Sequence, residues 1–124
     1  GETCGTALEG AMNVTLIVDL IKGHAPAWPR LEHDDALLTV GSARPLEDAW
    51  RCSQVEMVRW LQELYGLGPM DAYQLCSQLC LSPLANVVDV NYSAVTKIHK
   101  DLLPQSLPYA GMHASMRAAA ASLV

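Results

Sequence analysis

The sequence predicts an α+β fold, a β-rich mixed architecture with two helices, and three observations predict it. Residues 11–21 alternate their side chains with a period of two, residues 46–65 repeat apolar side chains at helical spacing, and a Pro- and Gly-rich stretch separates the two. At 124 residues the chain is long enough for one domain with its own core. Its hydrophobic content of 51% and mean hydropathy of +0.16 lie slightly above the roughly 45–50% usual for a free-standing domain. That surplus predicts surface reserved for a partner, and the fold is expected to be completed by a missing N-terminal portion or a partner chain.

The elements follow in chain order. In "AMNVTLIVDLI", Met12, Val14, Leu16, Val18 and Leu20 share one side, which predicts a long strand over Ala11–Ile21 with a fully apolar face. "KGHAPAWPRLEHDD" has two prolines, a glycine and mixed charge, and is expected to be loop throughout. "ALLTVGSA" reads as a second strand ended by Gly41 and Ser42. The clearest helix runs from Leu46 to Tyr65, with Leu46, Ala49, Trp50, Met57, Trp60, Leu61 and Leu64 on one stripe and Arg51, Val55, Arg59, Gln62 and Glu63 around the other side. Pro45 precedes it, Glu47 and Asp48 complement its positive end, and Gly66 stops it. A shorter helix begins at Pro69, where a missing N–H is harmless, and buries Ala72, Tyr73, Cys76, Leu79 and Cys80. Pro83 prevents its continuation, and "ANVVDVNYSAVTKIH" reads as further strand interrupted near Asn91. Residues 1–104 form the domain on this reading. Residues 105–124, whose last alanines suit a frayed helix, are an arm or tail that docks on a partner.

Composition narrows the function. The net charge is -5 and no basic cluster occurs, so the footprint of a nucleic-acid binder is missing. The longest apolar runs fall far short of the roughly 18 residues of a membrane span, and a cytoplasmic protein, or a processed piece of one, is expected. Of the four cysteines, Cys76 and Cys80 stack one helical turn apart, no CxxC or Cys/His ligand spacing occurs, and buried free thiols are expected.

Candidate chemistry begins in "GETCGTALEG", where Glu2 and Glu9 stand among glycines with Thr3, Cys4 and Thr6 between them. Glycine lets backbone approach a ligand closely, and a carboxylate in such a loop binds a metal or acts as a base. A solvated tail accounts equally well for the same residues. Cys4 is a candidate nucleophile only with a nearby base, and none of His24, His33, His99 and His113 sits in a local signature that supplies one. "EHDD", Glu32–Asp35, resembles a metal cluster superficially, but adjacent loop residues point apart, and a solvated or cap role is the expectation, with Asp34 or Asp35 ending a loop before a strand. Trp50, Trp60 and Tyr73 have helical spacing and are expected in core or interface. Glu56 lies off the apolar stripe, on the surface or toward a partner. Asp89, between valines of a strand, is expected to face solvent or a polar interface.

Taken in order, "GETCGTALEGAMNVTLIVDLIKG", then "GLGPMDAYQLCSQLCLSPLANVVDV" and a late "LLP", resemble the C-terminal part of the acetamidase/formamidase family. In that family a segment ending in a pattern like "QGDGE" runs into "GTAIE" and a long strand. Here Gly1–Glu2 and Gly5–Glu9 match it, Gly66–Ser77 match the helix pattern, and Val87–Val90 match the strand that follows. The match covers about the first hundred residues. "CLSPL" departs from it where a polar or acidic position is expected, and the terminal twenty or so residues have no counterpart.

The resemblance implies an amidohydrolase that converts small aliphatic amides such as formamide or acetamide, and in some relatives small lactams, to carboxylate and ammonia. It implies a β-rich fold and a metal, expected to be zinc, whose histidine and aspartate ligands lie upstream of the "GE" step. What carries over is Glu2 and Glu9 as candidate catalytic carboxylates and Cys4, Gly5 and Thr6 as substrate-side loop residues, with the metal ligands of this chain unknown. The expected partners are the N-terminal portion of the same enzyme as a separate chain, a small amide, and further copies in a homo-oligomer. A second reading makes the chain a non-catalytic structural subunit that completes the partner owning the active site. A third, resting on the four cysteines, is a cysteine-dependent binding or redox protein.

Overall fold

A computed structural model describes residues 3–123. Its centre is a four-stranded antiparallel sheet built from β1 (Arg30–Glu32), β2 (Ala36–Ala43), β3 (Leu84–Asn86) and β4 (Tyr92–His99), in the spatial order β1-β2-β4-β3. Helices α1 (Leu46–Tyr65) and α2 (Pro69–Leu79) connect β2 to β3, and α3 (Met112–Ala121) closes the chain. The fold is mixed α+β, as the sequence predicts, with a third helix formed by the terminal alanines.

Helix α1 has the expected ends. Pro45 caps it, Glu47 and Asp48 occupy the first turn, and Gly66 at φ 64° ends it with its N–H donated to Gln62 O at 2.9 Å. Its buried face differs from the predicted stripe: Ala49, Ser53, Glu56, Met57, Trp60 and Leu61 face inward, while Trp50 is 45% exposed. The helix lies across β2 and β4, where Leu37↔Ile98, Thr39↔Thr96 and Gly41↔Ala94 are register pairs and all six residues are buried. β2 thus continues through Gly41 and Ser42 to Ala43. The glycine brings the layers together: a Cβ at Gly41 would fall on the Ala49 carbonyl oxygen and 2.6 Å from Ser53 N.

Under the helix, polar groups are paired. Thr39 Oγ1 donates to Ser53 O at 2.7 Å, Ser53 Oγ donates to Trp50 O at 2.8 Å, and the hydroxyls of Ser53 and Thr96 share a hydrogen bond of 2.8 Å. These bonds make the buried hydroxyls tolerable beside an apolar cluster of Leu37, Met57, Trp60, Leu61, Ala72, Cys76 and Ile98. On α2 only Ala72 and Cys76 are fully buried; Leu79 and Cys80 are half-buried and Tyr73 is 57% exposed.

Two strand expectations change. Residues 11–21 form no strand, and Met12, Val14, Leu16, Val18 and Leu20 are between 65% and 87% exposed. A strand needs a ladder partner, and no other strand among the described residues lies beside this segment. Within the expected loop, conversely, Arg30–Glu32 pair with Leu37–Thr39 as a short edge strand, the turn closed by His33 N donating to Ala36 O at 2.8 Å. The interruption expected near Asn91 is wider, because residues 87–91 bend between β3 and β4.

Candidate functional site

The sequence singles out the opening loop and "VVDV", and the structure sets them side by side. Gly5 adopts φ 97°, open to glycine, and a Cβ there would sit 3.6 Å from Val88 Cγ1, in ordinary contact. Cys4, Thr6 and Glu9 are exposed, and Glu2 lies outside the described residues. Facing Gly5 is a turn organised by Asn86: its Oδ1 accepts the N–H groups of Val88 (3.0 Å) and Asp89 (3.2 Å), and its Nδ2 donates to Asp89 Oδ2 at 2.6 Å. Asp89 is thereby exposed in a fixed turn instead of a strand. The loop and the turn meet at Gly5 and Val88, and the residues next to these in sequence, Cys4, Thr6 and Asp89 with its carboxylate, are exposed.

A second polar arrangement lies in a cleft of about 310 Å³ lined by His24, Arg30, Glu56, Arg59, Glu63 and Tyr109, among others. β1 delivers Arg30, whose side chain is 5% exposed, and its Nε donates to Glu56 Oε1 at 2.7 Å. Its Nη1 and Nη2 grip Glu63 at 2.5 and 2.8 Å, and Nη1 also donates to Tyr109 Oη at 3.3 Å. The guanidinium carbon stands 5.4 Å from the Trp60 ring centre. Burial disfavours the Arg30 charge, but the hydrogen bonds it donates to Glu63, Glu56 and Tyr109 outweigh it and hold the pKa above the ordinary value. Arg30 in turn holds the Glu63 carboxyl below its usual range, against a smaller opposing effect of burial.

Glu56 is completely buried, which the helical stripe does not predict. Its Oε2 has no hydrogen-bond donor among the described residues, and Arg59 Nη1 at 3.9 Å offers charge without a hydrogen bond. A buried carboxylate oxygen in that position is an acceptor for an N–H or O–H donor entering the cleft. Tyr109 completes the wall at a backbone cost: Tyr109 and Ala110 both have positive φ, 49° and 57°, a conformation that costs non-glycine residues about 1–2 kcal/mol each. The ring is held against Trp60 at 6.2 Å and edge-on to His24 at 5.5 Å.

The remaining histidines pair with the "EHDD" aspartates. His33 Nδ1 lies 2.7 Å from Asp35, His99 Nδ1 lies 4.0 Å from it, and His113 Nε2 lies 2.8 Å from Asp34, which Arg117 also contacts. The two Asp34 pairs tether α3 to the β1–β2 turn. Among the described residues no three His, Cys, Asp or Glu side chains gather as a metal site, so they do not by themselves fit the expected zinc. All four cysteines are free, but only Cys76 is fully buried; Cys52 and Cys80 are half-buried and Cys4 is exposed, because its loop has no layer above it. No helix among the described residues is long and apolar enough to cross a membrane.

Comparison of the sequence with protein-family models and with curated proteins finds no match. Among solved structures, the chain is similar to that of an acetamidase from Yersinia enterocolitica, with 40% sequence identity and a TM-score of 0.65 over 68% of this chain. The match spans 26% of the acetamidase. The described fold is acetamidase/formamidase-like, and the relationship is to an amidase-type enzyme, as the motifs at Gly5–Glu9, Gly66–Ser77 and Val87–Val90 imply.

Proposed function

We propose that this chain is part of an amidohydrolase acting on small aliphatic amides such as formamide or acetamide, and on small lactams by the same chemistry. The observation that carries the reading is the likeness to an acetamidase at 40% identity over 68% of the chain. The closeness of Gly5 to Val88 supports it, since two motifs that are distant in sequence meet there.

Amide hydrolysis needs a nucleophile at the carbonyl, stabilisation of the oxyanion and a proton for the departing nitrogen. In this proposal Glu2 or Glu9 carries that proton, the loop Cys4–Thr6 shapes the substrate side, and Asp89, fixed by Asn86, adds a carboxylate to the same region. A zinc ion belongs to the proposal with its ligands outside the described residues, where it would polarise the carbonyl and activate water. The N-terminal portion of the enzyme supplies those residues, and a cytoplasmic homo-oligomer is the proposed assembly.

The competing reading, a structural subunit that completes a partner's fold, is favoured by one observation: the apolar alternation of residues 12–20 is exposed and unpaired. The two readings separate in one experiment. The chain is assembled with its upstream portion and ammonia release from formamide and acetamide is followed for the wild type and for a Glu2→Ala/Glu9→Ala variant. Loss of about 100-fold or more in kcat with assembly intact, in the range usual for a positioned acid or base, supports the catalytic assignment. Full activity of the variant assigns the chain the structural role, and an inactive wild-type assembly overturns the amidase reading.

A further inference from the structure

On the face of the molecule formed by α1 and α2, a groove of about 470 Å³ runs between Trp50 and Tyr73, with Cys76 and Cys80 in its wall. Their sulfur atoms are 3.1 Å apart. This separation is about 1 Å longer than a disulfide bond of about 2.05 Å. It is shorter than two thiolates sharing a tetrahedral metal require, since metal–sulfur distances of about 2.3 Å place them near 3.8 Å. The backbone also fits: Cys80 N donates to Cys76 O at 3.0 Å, so the two residues are one helical turn apart, within the roughly 4.4–6.8 Å that a disulfide spans between α-carbons. Because Cys80 ends the helix in an extended conformation at ψ 140°, no further helical turn constrains its side chain.

We propose that Cys76 and Cys80 are a dithiol site that exchanges with low-molecular-weight disulfides and closes to an intramolecular disulfide in the folded chain. The hydrogen bond between the two sulfurs favours a thiolate on one and keeps the proton on the other. That thiolate attacks one sulfur of the small disulfide RSSR, forming a mixed disulfide and releasing RS⁻, which takes a proton from solvent. The second protein sulfur then attacks the first, its proton passing to the second departing RS⁻. Two thiols are oxidised, one disulfide is reduced, and two RSH are released. The exposed rings of Trp50 and Tyr73 leave the groove mouth open to a small reagent.

Closure has a structural consequence. Cys76 Sγ donates to Gln54 Oε1 at 3.0 Å, and Gln54 Nε2 donates to Ser82 Oγ at 2.9 Å, which also accepts from Trp50 Nε1 at 3.2 Å. The disulfide removes the first donor and with it this hydrogen bond between α2 and α1.

The test uses the full chain, fully reduced and then equilibrated with mixtures of reduced and oxidised glutathione. Free thiols are alkylated and the peptide Trp60–Lys97, which contains both cysteines and no internal trypsin site, is weighed. Expected is loss of two hydrogens from that peptide with Cys52 still alkylated, and a stable glutathione adduct on the remaining cysteine of the pair in at least one of Cys80→Ser and Cys76→Ser. If wild-type Cys76 and Cys80 both remain alkylatable at ratios that already modify the exposed Cys4, or if they pair with other cysteines, the proposal is overturned. The wild-type titration decides this even if a variant fails to fold.

Discussion

Single residues in this chain are tuned by partners far away in sequence. Arg30 is the clearest case, because one guanidinium on an edge strand serves Glu56, Glu63 and Tyr109, which are 26, 33 and 79 positions away. The Arg30–Glu56 pair is nearly sealed from water, so it specifies how β1 meets α1 without guaranteeing net stability. Glu63 is half-exposed and gives a pH-dependent contribution. Its pKa in the fold lies below the ordinary 4.5 through the Arg30 hydrogen bond, so the stability it adds is present above pH 4.5 and lost as pH falls through the lowered value. Glu63→Gln is expected to be less stable than wild type at neutral pH, with the difference shrinking in the acid limb of a urea-unfolding series. A difference constant across the acid limb would show that Glu63 acts through packing. Glu56 could have been suspected from sequence: Ser53, Glu56 and Trp60 share the spacing of one helical face, but nothing local reveals the arginine that neutralises a carboxylate there.

Elements were legible where their signals are local. Helix α1 begins and ends at the residues that Pro45, the first-turn acids and Gly66 indicate, because capping acts within one turn. Strand β2 shows the reverse case. Gly41, weak as a strand residue in isolation, is retained because the α1 backbone passes where a Cβ would stand. Gly41→Ala is therefore expected to destabilise the chain by about 1–3 kcal/mol through overpacking, read as a lower urea midpoint at an unchanged slope. Wild-type stability in that variant would mean that α1 moves freely on the sheet. Asp89 was expected on a strand face, but the Asn86 side chain captures two backbone N–H groups and makes a turn of that stretch.

For the whole molecule, the division is between a packed sheet-and-helix body and an apolar segment outside it. Leu16 and Val18 are 79% and 87% exposed, so replacing both with serine is expected to leave the unfolding free energy within about 0.5 kcal/mol of wild type. The same change is expected to abolish co-purification with the upstream portion of the enzyme. A large loss of stability would place the segment in the body's own core, and unchanged co-purification would remove it from the proposed interface.

By itself the sequence determined the α+β class, both ends of α1, the start of α2, and the motifs that resemble an acetamidase, all of which rest on contacts within a few residues or on the order of short patterns. The tertiary structure alone decided that residues 11–21 stay unpaired, that Glu56 is buried against Arg30, that Gly5 meets Val88, and that two thiols stand 3.1 Å apart in a groove. Periodicity states which face of an element is apolar. What covers that face, and which charge meets which, depends on layers brought together from distant parts of the chain.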